Sequence, residues 1–160
     1  MEKQLIVSRI FDAPVADVWK LWTESELLKQ WWGPEKFTCT LAKINFKVGE
    51  TSLINMQAPK EFGGQTHYNI WQYTEIVPQK SIAFIMNLAD ENGNKQKPTA
   101  VGMPADFPED IKAVVTFKVL GENKTEVIVT EYAVFGQTSH FAKLGLEQSL
   151  NKAVAVFQKL

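Results

Sequence analysis

The stretch from about residue 138 to residue 160 holds the pattern that most limits how this chain can fold. It contains no proline, and its apolar side chains recur at helical spacing, so they share one face of a helix. Thr138 or Ser139 can cap the first turn, because a hydroxyl accepts a hydrogen bond from an amide with no partner inside the helix. The pattern predicts one long C-terminal helix. Its apolar face consists of Ala142, Leu146, Leu150, Ala153, Phe157 and Leu160.

Small side chains run along the edge of that apolar face. Gly145 and Ser149 lie one turn apart, and Ala142 and Ala153 continue the row. A glycine inside a helix costs up to about 1 kcal/mol relative to alanine, so we expect a packing or functional reason for it. Two interpretations stay open. The sequence favours close approach of a strand over the alternative, a helix surface hollowed for a ligand.

Most of the chain before this helix alternates between apolar and polar residues, as strands do. Two short helices interrupt the alternation early: the first opens at Pro14, and Thr23 with Glu26 has the spacing of a capping box for the second. Successive strands joined by turns form an antiparallel sheet, and the fold class is therefore α+β. We expect a curved sheet of about six to seven strands around the long helix. The predicted strands cover residues 5–11, 37–48, 51–56, 66–77, 80–88, 111–119 and 125–135.

The segment 90–110 differs from the rest because it is rich in proline, glycine and polar residues, yet contains Val101, Met103 and Phe107. Connections of this length are uncommon in compact domains. The pattern favours a mobile loop, with an ordered lid as the alternative.

Length and charge exclude several classes of protein. A chain of 160 residues is most simply one domain, 1–160, and a net charge of -1 provides no footprint for nucleic acid. No stretch approaches the roughly 20 apolar residues that span a bilayer, so no membrane insertion is expected. The first residues lack the apolar core of a signal peptide, and the lone Cys39 excludes an internal disulfide. These features favour the cytoplasm.

Recognisable catalytic and cofactor motifs are missing from the sequence. There is no phosphate-binding glycine loop, no dinucleotide fingerprint and no nucleophile elbow. His67 and His140 are not spaced for a metal site. We therefore expect no catalytic residues, no metal and no cofactor.

Two strand segments carry polar residues that could face a pocket. The first has a period of two, so it points Trp71, Tyr73 and Glu75 to the same side of a strand. Three interpretations stay open for this row: a polar anchor in an apolar pocket, an acid and base, or a solvent-facing stripe. On the last strand Glu131 and Tyr132 fall on opposite faces, so only one of them looks inward.

Several segments together resemble the START-like (SRPBCC) superfamily. More narrowly, they are similar to the branch related to the C-terminal domain of the activator of the ninety-kilodalton heat-shock-protein ATPase. The similarity covers nearly the whole chain in the same order. Its motifs are Arg9-Ile10-Phe11-Asp12-Ala13-Pro14, Val18-Trp19, Gln30-Trp31-Trp32-Gly33-Pro34, Val48-Gly49 and Tyr73-Thr74-Glu75-Ile76-Val77-Pro78.

This resemblance implies a helix-grip fold, in which a curved antiparallel sheet grips a long C-terminal helix and two small helices close one end. Relatives enclose a hydrophobic cavity between the sheet and that helix, and many are thought to bind lipids or polyketides. The leading hypothesis is accordingly non-enzymatic binding of an apolar small molecule. The expected ligand-binding residues are Trp71, Tyr73, Glu75, Phe84, Met86, Gly145, Ser149 and Val156.

Two other functions stay open. The first is a stress-response module that interacts with a chaperone through its surface, as the resemblance to the heat-shock ATPase activator suggests. The second, weaker one is a cyclase-like or aromatase-like enzyme that uses Glu75 and Tyr73 as acid and base.

Overall fold

The computed structural model describes residues 4–158 and contains seven strands and three α-helices in that range. The strands are β1 (Gln4–Phe11), β2 (Ala42–Lys43), β3 (Thr51–Gln57), β4 (Thr66–Val77), β5 (Ser81–Ala89), β6 (Ile111–Gly121) and β7 (Lys124–Tyr132). The helices are α1 (Val15–Thr23), α2 (Ser25–Leu28) and α3 (Ser139–Val156). Single 3₁₀ turns cover Lys60–Phe62, Pro98–Val101 and Gly136–Thr138.

All seven strands form one antiparallel sheet in the order β1-β7-β6-β5-β4-β3-β2. Each strand from β2 to β7 pairs with its neighbour in sequence, as expected of hairpins, and β1 returns to pair with β7 along its whole length. The sheet curves around α3, which confirms the predicted α+β helix-grip architecture.

The core lies on the concave side of the sheet, beneath α3 and the two short helices. Aromatic rings fill the end that α1 and α2 cover, where the Trp22 and Trp31 rings lie 4.7 Å apart. The indole N–H of Trp31 donates a hydrogen bond of 2.9 Å to the carbonyl oxygen of Leu21, and this ties the end of α2 to α1. Tight packing at this end moves any open space toward the opposite end of the sheet.

The apolar face of α3 matches the prediction, since Leu146, Leu150 and Ala153 are buried. The helix ends at Val156, and Leu160, to which the predicted helix extended, lies outside the described residues. The predicted cap is wrong. Thr138 occupies the N-cap position, but its hydroxyl donates to the carbonyl oxygen of Phe135 at 2.6 Å and caps no helix amide.

The predicted capping box of α2 is also wrong. Glu24 precedes the helix, and the hydroxyl of Thr23 donates to the carbonyl oxygen of Trp19 inside α1. Thr23 therefore belongs to the last turn of α1.

The predicted strand over residues 37–48 is mostly irregular chain, with only Ala42–Lys43 in the ladder. Side chains of β3 explain the difference. The Oδ1 atom of Asn55 accepts hydrogen bonds from the amides of Thr40 and Leu41, and the hydroxyl of Ser52 accepts one from the amide of Asn45. These side-chain bonds satisfy amides that would otherwise need a strand partner.

Candidate ligand-binding site

A cavity of about 390 Å³ lies between the concave face of the sheet and α3. Strands β3 to β7 form its base, α3 forms one wall, and the connection between β5 and β6 covers part of its opening. Most of its lining is apolar. The residues that line it are Trp32, Pro34, Met56, His67, Asn69, Met86, Asn87, Leu88, Met103, Phe107, Pro108, Glu109, Ile111, Glu131, Phe135, Thr138, Phe141, Ala142, Gly145, Leu146 and Ser149.

The wall formed by α3 is hollow because its side chains there are small. Ala142, Gly145 and Ser149 all line the cavity, and the hydroxyl of Ser149 turns back to donate to the carbonyl oxygen of Gly145 at 2.9 Å. A Cβ atom at Gly145 would lie 3.4 Å from the Cγ atom of Pro34, which comes from a loop and not from a strand. The small residues therefore border both the cavity and this loop.

The loop that carries Pro34 is held against α3 by hydrogen bonds from the helix. The ammonium group of Lys152 donates to the carbonyl oxygens of Pro34 and Phe37 at 3.2 and 3.1 Å. The side-chain oxygen of Gln148 accepts a bond from the amide of Glu35 at 3.1 Å. These contacts fix the position of Trp32, which precedes the loop and lines the cavity.

One carboxyl group is buried on the concave face of the sheet. Val127, Val129 and Glu131 alternate along β7 as buried residues, and Glu131 is 8% exposed. Burial alone raises the pKa of Glu131 to about 7. Tyr132 faces the other way and lies 5.8 Å beneath the ammonium group of Lys112. The sequence left open whether Glu131 or Tyr132 faces inward, and the structure shows that it is Glu131.

Two tryptophan N–H groups near Glu131 have no hydrogen-bond partner within residues 4–158. They are the Nε1 atoms of Trp32 and Trp71, whose rings lie 5.0 Å apart and nearly perpendicular. Both indoles and Glu131 line a small inner void of about 10 Å³. This void shares Trp32, Met86, Glu131 and Leu146 with the main cavity, and it therefore lies at the cavity's inner end.

The connection between β5 and β6 lies across the cavity opening and contributes Met103, Phe107, Pro108 and Glu109 to the lining. Asp106 holds it to the turn before α3, because its carboxylate accepts hydrogen bonds from the amide and the side-chain nitrogen of Gln137 at 3.0 and 3.2 Å. These bonds lower the pKa of Asp106. Gly136 has a φ of +60°, and a Cβ atom there would collide with the Asp106 carboxylate.

The structure brings three of the predicted ligand-binding residues to the main cavity: Met86, Gly145 and Ser149. Trp71 and Phe84 stack at 4.3 Å and line only the inner void. Val156 is the last residue of α3 and packs against the core away from the cavity lining.

Tyr73 and Glu75 lie apart from the cavity lining and on different sides of the sheet. Tyr73 is buried, its hydroxyl is 2.8 Å from that of Ser52, and burial raises its pKa to about 12. Glu75 is exposed. The expectation that Glu75 shares the inward face is wrong, because a bulge at Thr74 adds one residue to β4 and passes the inward position to Ile76. The proposed acid–base pair is therefore not assembled.

Glu131 and Trp32 are among the cavity residues that were not predicted from the sequence as ligand-binding. The alternation of β7 carried a signal for Glu131, because it continues the phase of Val127 and Val129. Trp32 carried no such signal, because it adjoins Trp31 in the sequence and only the fold separates the roles of the two residues.

Two structural features are missing from residues 4–158. No group of three or more His, Cys, Asp or Glu side chains in this range is placed to hold a metal ion. Within the same residues, no helix has both the length and the apolarity needed to cross a membrane.

Solved structures with the same fold come from several bacteria. A protein from Chromobacterium violaceum is 22% identical, with 98% of each chain covered and a TM-score of 0.77. One from Arthrobacter aurescens is 24% identical, with 97% of this chain and 86% of the other covered and a TM-score of 0.76. The AHSA1 protein from Silicibacter pomeroyi is 18% identical, with 98% of each chain covered and a TM-score of 0.74. At these identities the similarity shows the fold alone.

A sequence comparison identifies the family. Among curated proteins, no sequence matches this chain significantly. The family described as activator of Hsp90 ATPase homolog 1-like protein matches residues 12–158, which is nearly the whole chain and confirms the resemblance drawn from the Trp31-Trp32-Gly33-Pro34 motif. The chain belongs to the activator of Hsp90 ATPase homolog 1-like family.

Proposed function

We propose that this chain binds an apolar small molecule, such as a lipid or a polyketide-like aromatic, in the cavity between the sheet and α3, without catalysis. The observation that carries the proposal is the cavity itself: about 390 Å³ with a mainly apolar lining. Ligand pockets in proteins commonly measure about 300–1,000 Å³ and combine apolar walls with a few polar groups. A cavity of this kind in a packed interior costs stability, which a bound ligand offsets.

The proposed contacts come from both walls of the cavity. On the sheet side they include Met86 and Ile111, and on the helix side Ala142, Gly145 and Ser149. Trp71 and Phe84 form the layer beneath and set the depth to which a ligand can enter. In this proposal Tyr73, Glu75 and Val156 make no direct contact with the ligand.

Amide NMR titration of the labelled protein tests the proposal with a panel of fatty acids, flavonoids and polyketide-like aromatics. We expect saturable shifts on α3 and on β5, β6 and β7 around the cavity. Ala142→Phe places a ring in the cavity and is expected to abolish these shifts. Lys143→Phe is the matched control, because it adds the same ring one residue along α3 at an exposed position that does not line the cavity.

The two variants make the result decisive. Shifts that persist in Ala142→Phe, whether or not they persist in Lys143→Phe, would locate binding outside the cavity and contradict the proposal. A panel without saturable shifts would contradict it as well, and would favour a function at the protein surface.

The family description supports a second candidate, a module that interacts with a chaperone. Its test is the ATPase rate of a purified ninety-kilodalton heat-shock protein with and without this chain. A rate that rises with the chain, equally for wild type and Ala142→Phe, would favour the surface function. An unchanged rate would contradict it.

A further inference from the structure

The inner end of the cavity carries polar groups that a purely apolar ligand would leave without partners. The side chains of Glu131, Trp32 and Trp71 line the inner void, and the indole N–H groups of the two tryptophans have no partner within residues 4–158. Trp31 shows the usual arrangement, since its N–H donates to the carbonyl oxygen of Leu21. Buried donors without acceptors are rare in proteins, so two of them beside one buried carboxyl group call for a specific explanation.

The sheet register explains why the carboxyl group and the indoles border the same void. Ala113 on β6 pairs with Glu131 on one side and with Phe84 on the other, and Phe84 stacks on Trp71. Strands lie about 4.8 Å apart, so Glu131 and Phe84 stand roughly 10 Å from each other with only a methyl group between them. The side chain of Ala113 is too small to close this gap.

The void has the size of one oxygen-bearing group. Its volume is about 10 Å³, roughly the smallest space that holds a single water molecule. Within residues 4–158 the indole N–H groups of Trp32 and Trp71 have no hydrogen-bond partner. A ligand group that reaches this end and pairs with them therefore gains hydrogen bonds that these groups do not make within residues 4–158.

The chemistry of the three groups selects the ligand group. An indole N–H only donates a hydrogen bond, so the ligand must supply an acceptor. Glu131 has a pKa of about 7, so above pH 7 it is mainly a carboxylate that only accepts, and the ligand must then also supply a donor. A hydroxyl group provides both. A ligand carboxylate provides no donor and places a second negative charge beside Glu131 in a site of low dielectric.

We propose that the cavity selects apolar molecules that carry a hydroxyl group, either an alcohol or a phenol, and binds that hydroxyl between Trp32, Trp71 and Glu131. This inference rests on the proposed function and adds the polar chemistry of the ligand to it.

Other titratable groups on the cavity do not alter this selection. His67 faces the cavity from β4, and burial lowers its pKa, so it is neutral at pH 8. Glu109 lies in the connection between β5 and β6 and adds negative charge, not positive. The Lys152 ammonium group is engaged by the carbonyl oxygens of Pro34 and Phe37. No positive side chain lines the cavity within residues 4–158 to attract a carboxylate.

Three probes with one carbon skeleton test the inference: 2-naphthol, 2-naphthoate and naphthalene, each titrated at pH 8, where Glu131 is mostly ionised. We expect 2-naphthol to bind about tenfold or more tightly than either of the others. NMR should show its binding as shifts of the Trp32 and Trp71 indole N–H signals. The Trp19 indole serves as the internal control, because it packs against Phe46 and Phe117 away from the cavity.

Variants separate recognition of the hydroxyl from general apolar binding. Trp32→Phe and Trp71→Phe should each remove most of the preference for 2-naphthol over naphthalene, and Trp19→Phe should preserve it. Glu131→Gln should narrow the gap between 2-naphthol and 2-naphthoate, because it removes the like charge. If a variant does not fold, the shifts of the Trp32 and Trp71 indole N–H signals in the wild-type protein still show whether 2-naphthol binds beside them.

The outcomes distinguish this inference from the proposed function. Equal affinities for all three probes, with cavity shifts, would overturn the hydroxyl preference and leave apolar binding intact. Tighter binding of 2-naphthoate would also overturn it. Failure of all three probes to bind would overturn both.

Discussion

Glu131 pairs directly with Ala113 across the β6–β7 ladder, so its carboxyl group stands beside a methyl group on the concave face of the sheet. Ala113 is 1% exposed and Glu131 8%, which places an ionisable group where water has little access. This pair links the stability of the protein to its cavity. The carboxyl group that is expected to recognise a ligand is also costly to ionise in the folded state.

We predict that stability falls as the pH rises because of Glu131. Its pKa is raised from 4.5 to about 7, so the folded state holds a proton that the unfolded state has already released. The stabilisation is complete below pH 4.5 and is lost as the pH rises through 7, by about 3 kcal/mol in total. Urea unfolding of wild type and Glu131→Gln at pH 5 and pH 8.5 measures this. The free energy of unfolding of Glu131→Gln should fall less than that of wild type between pH 5 and pH 8.5, because the variant has no carboxyl group at this position.

Glu122→Gln is the control for that experiment, because Glu122 lies exposed in the turn between β6 and β7. It should follow the wild-type pH dependence. Parallel pH profiles for wild type and Glu131→Gln would show that the carboxyl group is not buried as described.

Gly145→Ala should stabilise the free protein and weaken ligand binding. Alanine favours a helix interior by up to about 1 kcal/mol over glycine, and its Cβ atom would lie at ordinary contact distance, 3.4 Å, from the Cγ atom of Pro34. The methyl group also takes space from the cavity. Urea unfolding measures the first effect and titration with 2-naphthol the second. A loss of stability would indicate that the Pro34 loop cannot accommodate the methyl group.

Gly136→Ala should detach the connection between β5 and β6 from the cavity opening. The added Cβ atom would collide with the Asp106 carboxylate, which accepts two hydrogen bonds from Gln137. We expect faster hydrogen exchange at residues 103–109 and faster ligand dissociation. Gly49→Ala is the matched control, since its φ of +89° imposes similar strain but its Cβ atom meets nothing within 4 Å. Equal exchange at 103–109 in both variants would contradict a specific role for Asp106.

The long helix and the hairpins were predictable because each buries one face, and burial on one face leaves a period in the sequence. The apolar residues of α3 and the alternation of β7 are examples. The irregular stretch before β3 was not predictable, because the side chains of Asn55 and Ser52 replace strand partners without changing the pattern. The bulge at Thr74 likewise left no sign in the sequence pattern. It alone turned Glu75 away from the inward face on which the sequence had placed it with Tyr73.

The cavity was predictable as a location but not as a set of residues. Gly145 and Ser149 marked the hollow side of α3 from their size alone. Trp32 could not be separated from Trp31, because the two differ only in which partners the fold provides. Polar recognition depends on those partners, and they come from elements distant in sequence.

The neighbouring residues Trp31 and Trp32 should therefore respond differently to the same substitution. Trp31 is 1% exposed, and its N–H donates to the carbonyl oxygen of Leu21, so Trp31→Phe removes a buried hydrogen bond and leaves a void. Trp32→Phe removes an N–H that has no partner within residues 4–158. We expect Trp31→Phe to lower the free energy of unfolding by about 2 kcal/mol more than Trp32→Phe. Urea unfolding at pH 6 measures both, and equal losses would show that the Trp32 N–H has a partner in solution.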